Sequence, residues 1–181
     1  MNRTTPWLLA AALVLLLSLG SVVALVAVRG GTVNGRSLAL AGCEPGAAHG
    51  SVVQVQLTDA AGGMMMGGSA MMVRLSASPT SVPRGTVTFI ATNTGALNHE
   101  LLIAPVQADG PGTRPVGSDG KVDESSSLGE ASRSCGAGVG DGISPGARSW
   151  VTIHLAPGAY ELLCDVPWHY ANGMFSEIVV N

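Results

Sequence analysis

Charged side chains are scarce in this sequence, at 12% of its 181 residues, and basic ones are scarcer than acidic ones. Beyond residue 42 there are twelve acidic side chains against six basic ones, which gives this part a net charge of −6. Binding to nucleic acid depends on Lys and Arg side chains that neutralise phosphates. A chain with this balance of charge is therefore not expected to bind nucleic acid.

No charged residue occurs between Trp7 and Val28. As a helix rising ~1.5 Å per residue, this stretch would be roughly 33 Å long, enough to cross a hydrocarbon core of about 30 Å. A cleaved secretory signal usually has an apolar core of only about 7 to 15 residues. We therefore expect a stub at 1–6 followed by a single-pass membrane anchor at 7–28. A cleaved signal, which would leave a secreted protein, is the alternative.

Cysteine is rare as well, with only Cys43, Cys135 and Cys164. An odd number in an exported protein leaves one thiol for another role. Cys43 and Cys135 would form a disulfide in an oxidising compartment, or both would stay unpaired. The sequence LAGC at 40–43 also resembles the lipobox of bacterial lipoproteins, in which the cysteine is acylated. We favour a small-residue linker over 29–50, with lipid anchoring at Cys43 as the alternative.

Long apolar runs are absent beyond residue 50, where short alternating runs are separated by Gly, Pro, Asn and Asp. This period of two predicts an all-β domain over 51–181, and seven strands suit a two-sheet sandwich. The segment at about 106–146 is rich in Gly, Ser, Pro and Asp, and we interpret it as an insertion that forms a surface loop. The predicted strands are Val52–Leu57, Ala70–Ala77, Thr86–Thr92, Glu100–Ala104, Ser149–Leu155, Ala159–Val166 and Phe175–Val180.

The strongest chemical signal is the C-x4-H-x4-M spacing of Cys164, His169 and Met174 at the junction of two predicted strands. Cu(I) prefers thiolate and thioether donors, whereas Cu(II) prefers imidazole and accepts thiolate. Two His and one Cys with a distant axial Met satisfy both oxidation states. The second histidine would be His99, which begins a strand on the inward-facing side. These four residues are our candidate copper ligands.

Around these residues the chain resembles the cupredoxin family, in particular its rusticyanin-like and sulfocyanin-like branch. The resemblance covers roughly 51–181. It rests on Thr86–Asn93 (TVTFIATN), on the N-x-G-x-x-x-H approach to His99, on Pro157–Tyr160 (PGAY), and on the C-x4-H-x4-M loop. It implies a Greek-key β-sandwich that holds one type 1 copper ion. The ligands that it implies are His99, Cys164, His169 and Met174.

The resemblance also implies a function, namely the transfer of single electrons between extracytoplasmic redox proteins such as membrane oxidases or cytochromes. The copper domain would then be periplasmic or extracellular. Because the protein would fill every ligand position, no open position is left for a small-molecule substrate, and we expect no enzymatic activity. The two remaining histidines, His49 and His154, cannot supply the additional copper cluster of a multicopper oxidase.

Methionine is concentrated between the first two predicted strands, where five of the nine residues at 64–72 are Met. Flexible Met side chains suit permissive contact surfaces, and electron-transfer encounters are small and transient. We therefore expect Met64, Met65 and Met66, with Trp168, to form a docking surface. Thioethers also bind Cu(I), so the alternative function is copper storage or delivery through this methionine-rich loop. A third interpretation buries Met71 and Met72 in the core.

Overall fold

The structure is a computed structural model that describes residues 43–46, 48–60 and 72–181. The predicted membrane anchor at 7–28 lies outside these residues, as do the stub at 1–6 and residues 64–71 of the methionine-rich loop. Within the described ranges, no helix has the length and apolar character needed to cross a membrane.

Two five-stranded sheets enclose one main apolar core. The first sheet contains, in spatial order, β2 (Met72–Ser78), β1 (Ser51–Ala60), β4 (Gly85–Asn93), β8 (Arg148–Leu155) and β7 (Gly136–Ala137). The second contains β3 (Ser81–Val82), β10 (Phe175–Val180), β9 (Gly158–Leu163), β5 (Leu101–Pro105) and β6 (Gly129–Ala131). The predicted all-β sandwich is confirmed, and each of the seven predicted strands is present.

The alternation of side chains explains how each strand contributes to the core. In β1, Val53, Val55 and Leu57 are buried, whereas Gln54 and Gln56 between them are exposed. Successive side chains of a strand point to opposite faces of its sheet, so the first set covers the core and the second faces solvent. Each fully buried aliphatic side chain stabilises the fold by roughly 1.5–3 kcal/mol before entropy is counted.

The insertion is more than a surface loop. It supplies the short strand β6 to the second sheet and β7 to the first, and its residues Ala131 and Ile143 are fully buried in the main core. Val122 packs in a second apolar cluster on the other face of the second sheet, against Leu163 and Tyr170. The insertion thus covers a sheet face that would otherwise be open to water.

A disulfide joins Cys43 to Cys135, whose Cα atoms are 4.3 Å apart. Cys43 is buried although it lies in the predicted linker, and Cys135 directly precedes β7. The bond therefore attaches the start of the described chain to the insertion.

The register of the second sheet determines where the candidate ligands meet. Strands β5 and β9 are antiparallel, with Leu102 opposite Leu163. The segment that leads into β5 and the residue after β9 therefore lie at the same edge of the sandwich. His99 is two residues before β5, and Cys164 directly follows β9.

Candidate metal centre

His99 is held at the end of a tightly bonded turn that connects β4 to β5. Its backbone N–H donates to the carbonyl of Ile143 at 3.2 Å and its carbonyl accepts from the N–H of Ile143 at 2.7 Å, so the insertion pairs with the histidine directly. Asn93 closes the turn, because its side-chain amide donates to the carbonyls of Leu97 and Ile143, each at 2.7 Å, and its Oδ1 accepts from the N–H of Gly95 at 2.8 Å. These bonds explain the N-x-G-x-x-x-H spacing.

The C-x4-H-x4-M loop is folded back on itself by backbone hydrogen bonds. The N–H of Met174 donates to the carbonyl of His169, and the N–H of Cys164 donates to the carbonyl of Met174, each at 3.1 Å. A short 3-10 helix at Tyr170–Asn172 makes the turn between them and ends at Gly173, whose φ of +89° favours glycine. The loop spacing thus brings all three side chains to one place.

The three nitrogen and sulfur donors converge. The Nδ1 atoms of His99 and His169 are 3.2 Å apart, and the Sγ of Cys164 lies 3.9 Å from the first and 3.5 Å from the second. A point in their common plane is about 2.1 Å from all three atoms, within a few tenths of an ångström of the nitrogen and thiolate distances of first-row metal sites. All three residues are almost inaccessible to solvent. The triangle therefore has the size and the donor chemistry of a mononuclear metal site.

Met174 is the fourth candidate, and it is fully buried in the same core cluster as Cys164. Its backbone hydrogen bonds to His169 and Cys164 place it beside the triangle. A thioether in this position suits the weak axial donor of a type 1 copper site.

Comparison with known proteins identifies the family. The sulfocyanin (SoxE) domain matches residues 77–181, which is more than half of the chain. The chain belongs to the sulfocyanin family. The resemblance to the sulfocyanin-like branch of the cupredoxins is thereby confirmed, and so is the predicted cofactor, one type 1 copper ion.

Similar solved structures include two auracyanins and a rusticyanin. The reduced auracyanin of Roseiflexus castenholzii has 21% identity and a TM-score of 0.47, covering 75% of this chain and 99% of its own. Rusticyanin from Thiobacillus ferrooxidans has 24% identity and a TM-score of 0.42, covering 74% and 79%. Auracyanin A, a blue copper protein from Chloroflexus aurantiacus, has 20% identity and a TM-score of 0.41, covering 72% and 100%. No curated protein matches the chain significantly.

The electrostatics of this sulfocyanin site keep the donors uncharged when no metal is bound. Burial lowers the pKa of His169 to about 4, with a further contribution from His99 beside it, and burial also lowers the pKa of His99. Burial raises the pKa of the Cys164 thiol to about 12, although backbone N–H groups of Glu100 and Val166 oppose the shift. A bound cation deprotonates a coordinating thiol outright. The site therefore holds neutral imidazoles ready to bind, and a thiol that loses its proton on binding.

Glu100 directly follows His99 and contacts the sulfur through its main chain. Its backbone N–H donates to the Sγ of Cys164 at 3.3 Å. Because the donor is the main chain, the hydrogen bond to the sulfur does not depend on which side chain follows His99.

Asp59, which the sequence analysis missed, contacts His99 from the side opposite the triangle. Its Oδ1 lies 2.9 Å from the Nε2 of His99, and its side chain is only 6% exposed. A signal for it exists in the sequence, because Asp59 continues the inward parity of Val53, Val55 and Leu57 along β1. An acidic residue on the core face at the end of a strand requires a buried partner.

A buried polar network that the sequence analysis also missed lies on the opposite face of β9, under the insertion. Glu161 accepts hydrogen bonds from the guanidinium of Arg114 at 2.6 Å, from the backbone N–H of Gly112 at 2.6 Å and from the hydroxyl of Tyr170 at 2.9 Å. Beside the thiol, Asp165 accepts from the backbone N–H of Val122 at 2.7 Å. No local signal in the sequence indicates the contacts of Glu161 and Asp165 with the insertion, because they join residues more than 40 positions apart.

The predicted docking residues are only partly described. Trp168 is 51% exposed, with a φ of +70°, and its backbone N–H donates to the carbonyl of Gly120 at 2.8 Å. Met64, Met65 and Met66 lie outside the described residues, whereas Met72 begins β2 and is exposed rather than buried in the core. The insertion therefore supports the tryptophan that lies next to His169.

Proposed function

We propose that this protein is an electron carrier with a single type 1 copper ion, bound by His99, Cys164, His169 and Met174, which passes single electrons between extracytoplasmic redox proteins. Membership of the sulfocyanin family supports a blue-copper electron-transfer protein. Cupredoxins are in general not enzymes, and a centre whose ligands all come from the protein has no open position for a substrate.

The observation that carries the proposal is the triangle of donor atoms. Two imidazole nitrogens and one sulfur already lie around a common point, about 2.1 Å from each, without any rearrangement of the loops. Backbone hydrogen bonds hold each of the three residues. Electron transfer is fast when the surroundings of the metal move little between oxidation states, and this bonding restrains such movement.

Copper supplies a one-electron couple at such a site, with the soft donors favouring Cu(I) and the imidazoles favouring Cu(II). Residues of the chain exclude water from the site and stabilise the thiolate. The burial of His99, Cys164 and His169 excludes water from the donors. The N–H of Glu100 donates to the sulfur, which stabilises the thiolate form of Cys164.

Electrons would enter and leave at the edge where Trp168 is exposed beside His169. The partners that we propose are redox proteins such as membrane oxidases or cytochromes. They would meet an apolar surface formed by Trp168 with Met64, Met65 and Met66. The apolar stretch at 7–28 would anchor the chain in the membrane, with the copper domain on the extracytoplasmic side.

The proposal is tested by the spectrum of the copper-loaded protein. An intense thiolate-to-Cu(II) absorption near ~600 nm that disappears on reduction and returns on oxidation is expected for two His and one Cys around copper. Cys164→Ala should abolish the colour. His154→Ala, which removes an exposed histidine on β8, is the matched control and should keep it. A wild-type protein that stays colourless with one bound copper after oxidation would overturn the proposal.

Metal stoichiometry separates the electron carrier from a protein that stores or delivers copper. The carrier binds one copper ion per chain, whereas a storage protein that uses the loop at 64–72 would take up several Cu(I) ions and remain colourless. Replacing Met64, Met65 and Met66 by Ser should slow electron exchange with a partner and leave the spectrum unchanged. Loss of colour in this triple variant would contradict a docking role for the three methionines.

A further inference from the structure

The contact between Asp59 and His99 points to a role at the centre beyond that of the four ligands. The Oδ1 atom of Asp59 is 2.9 Å from the Nε2 of His99. The same oxygen accepts the backbone N–H groups of Ala96 at 2.8 Å and Leu97 at 3.0 Å. One carboxylate oxygen thus holds both the imidazole and the turn that leads to it.

The hydrogen bonds of this carboxylate fix the proton on the ring. Oδ1 of Asp59 already accepts two backbone N–H groups, from Ala96 and Leu97, so it acts as an acceptor toward the imidazole as well. In its ionised form, a carboxylate can only accept hydrogen bonds. Nε2 of His99 must therefore carry the proton, which leaves the lone pair on Nδ1. Nδ1 is the nitrogen that faces the triangle of donors.

Gly95 allows the turn before His99 to lie close to Asp59. A Cβ atom placed on Gly95 would lie 2.8 Å from the backbone nitrogen of Asp59 and would overlap its Oδ1. Any side chain at position 95 would therefore push the turn away from the carboxylate. The glycine in the N-x-G-x-x-x-H approach is required for contact with Asp59, in addition to its bond with Asn93.

We propose that Asp59 is a positioning residue of the copper centre, which selects the Nε2–H tautomer of His99 and lowers the reduction potential through its negative charge. A carboxylate hydrogen-bonded to a ligand imidazole orients the ring and makes it a stronger donor. A nearby negative charge also favours the more positive, oxidised state of the site. This inference rests on the proposed function, since it takes His99 as a ligand.

Two variants separate the charge of Asp59 from its hydrogen bonds, and a third serves as a control. Asp59→Asn keeps the size of the side chain and an oxygen acceptor but removes the charge. Asp59→Ala removes both. Asp109→Asn removes a carboxylate from an exposed turn in the insertion and controls for net charge alone.

The first measurement is the reduction potential of the copper-loaded full-length chain. Asp59→Asn should shift the potential in the positive direction by clearly more than Asp109→Asn does. Equal potentials in Asp59→Asn and Asp109→Asn would overturn the inference. The visible spectrum of Asp59→Asn, recorded on the same samples, shows whether the ligand set is intact.

The second measurement needs no copper. The ¹⁵N shifts of the His99 ring in the copper-free full-length chain report which nitrogen carries the proton. Wild-type protein should show the Nε2–H tautomer alone, and Asp59→Ala should show a mixture. An Nδ1–H tautomer in the wild type would overturn the inference, as would an unchanged tautomer in Asp59→Ala. A wild-type protein that binds copper without turning blue would instead overturn the proposed function, so the two failures are distinguishable.

Discussion

Arg114 and Glu161 form an ion pair that is buried on both sides, with Nε of the arginine 2.6 Å from Oε2 of the glutamate. The arginine comes from the insertion and the glutamate from β9, three residues before Cys164. Tyr170, directly after His169, donates its hydroxyl proton to the same carboxylate and accepts the backbone N–H of Arg114 at 3.1 Å. The ion pair therefore fastens the insertion to the loop that carries three of the four candidate ligands.

Removing one partner of this ion pair should destabilise the protein strongly. Arg114→Met leaves the buried carboxylate of Glu161 without its cation, and we expect a loss of about 3–5 kcal/mol in the free energy of unfolding. Arg84→Met, which changes an exposed arginine, is the control and should cost less than about 0.5 kcal/mol. Urea denaturation of both variants measures the difference. Equal midpoints and slopes for the two variants would show that the ion pair does not stabilise the folded protein.

The copper-free protein should lose stability when the pH falls below about 6.5. His169 is neutral in the folded state, where its pKa is lowered from 6.5 to about 4, first by burial and then by His99. The unfolded chain binds a proton that the folded chain does not, so the stabilisation is complete above pH 6.5 and is lost progressively toward pH 4. We expect a loss of about 2 kcal/mol from this residue. Urea denaturation at pH 7.5 and 4.5 measures it.

Two histidine variants test whether His169 causes this pH dependence. His169→Gln should reduce the slope of the stability curve between pH 6.5 and 4, because one of the two buried histidines with a lowered pKa is gone and only His99 remains. His154→Gln, at an exposed position, should leave the curve as in the wild type. The same slope in both variants would assign the acid sensitivity to other groups.

Met174→Leu should keep the blue colour and raise the reduction potential. The substitution preserves the volume of a fully buried side chain and should cost less than about 1.5 kcal/mol of stability. It removes a weak donor to Cu(II), so the reduced state becomes more stable relative to the oxidised state. A rise of at least about 60 mV, a tenfold change for a one-electron couple, is expected in voltammetry. An unchanged potential and spectrum would mean that Met174 is not the axial ligand.

Loss of the disulfide should destabilise the fold, and the oxidised variant without it should keep the blue colour. Cys43 and Cys135 are 92 residues apart in sequence, and closing a loop of that length in the unfolded chain stabilises the folded state by about 4.6 kcal/mol in the chain-entropy description. Unfolding of the wild type should therefore shift to lower urea concentration when a reductant is added. The variant Cys43→Ser/Cys135→Ser should unfold at this lower concentration and show no response to the reductant. A wild-type unfolding midpoint that is the same with and without the reductant would contradict the prediction.

The sequence was informative wherever structure depends on local periodicity. Alternating apolar residues predicted the sandwich, and the spacing from Cys164 to Met174 marked the ligand loop. Strand ends were less accurate, because β9 stops at Leu163 and the loop begins at Cys164, although alternation continues to Val166. The loop's backbone is bonded to Met174 and His169 instead of to a neighbouring strand.

Features that depend on distant contacts could not be predicted. Strands β6 and β7 contain three and two residues, too few for a periodic pattern. Arg114 and Glu161 are separated by 47 residues. Each is a charged residue, which taken alone predicts a solvent-exposed position. Asp59 carried a usable signal in its inward parity, but its partner His99 is 40 residues away and becomes adjacent only through the parallel pairing of β1 with β4.

The bond between Cys43 and Cys135 has a consequence for proteolytic release of the domain. A protease that cuts the exposed backbone between Cys43 and β1 would break the main chain but leave its two pieces linked through sulfur. Whatever precedes Cys43 would stay attached to the insertion until a reductant is supplied. Shedding of the copper domain by a cut at that place would require reducing conditions as well as peptide hydrolysis, whereas a cut before Cys43 would require hydrolysis alone.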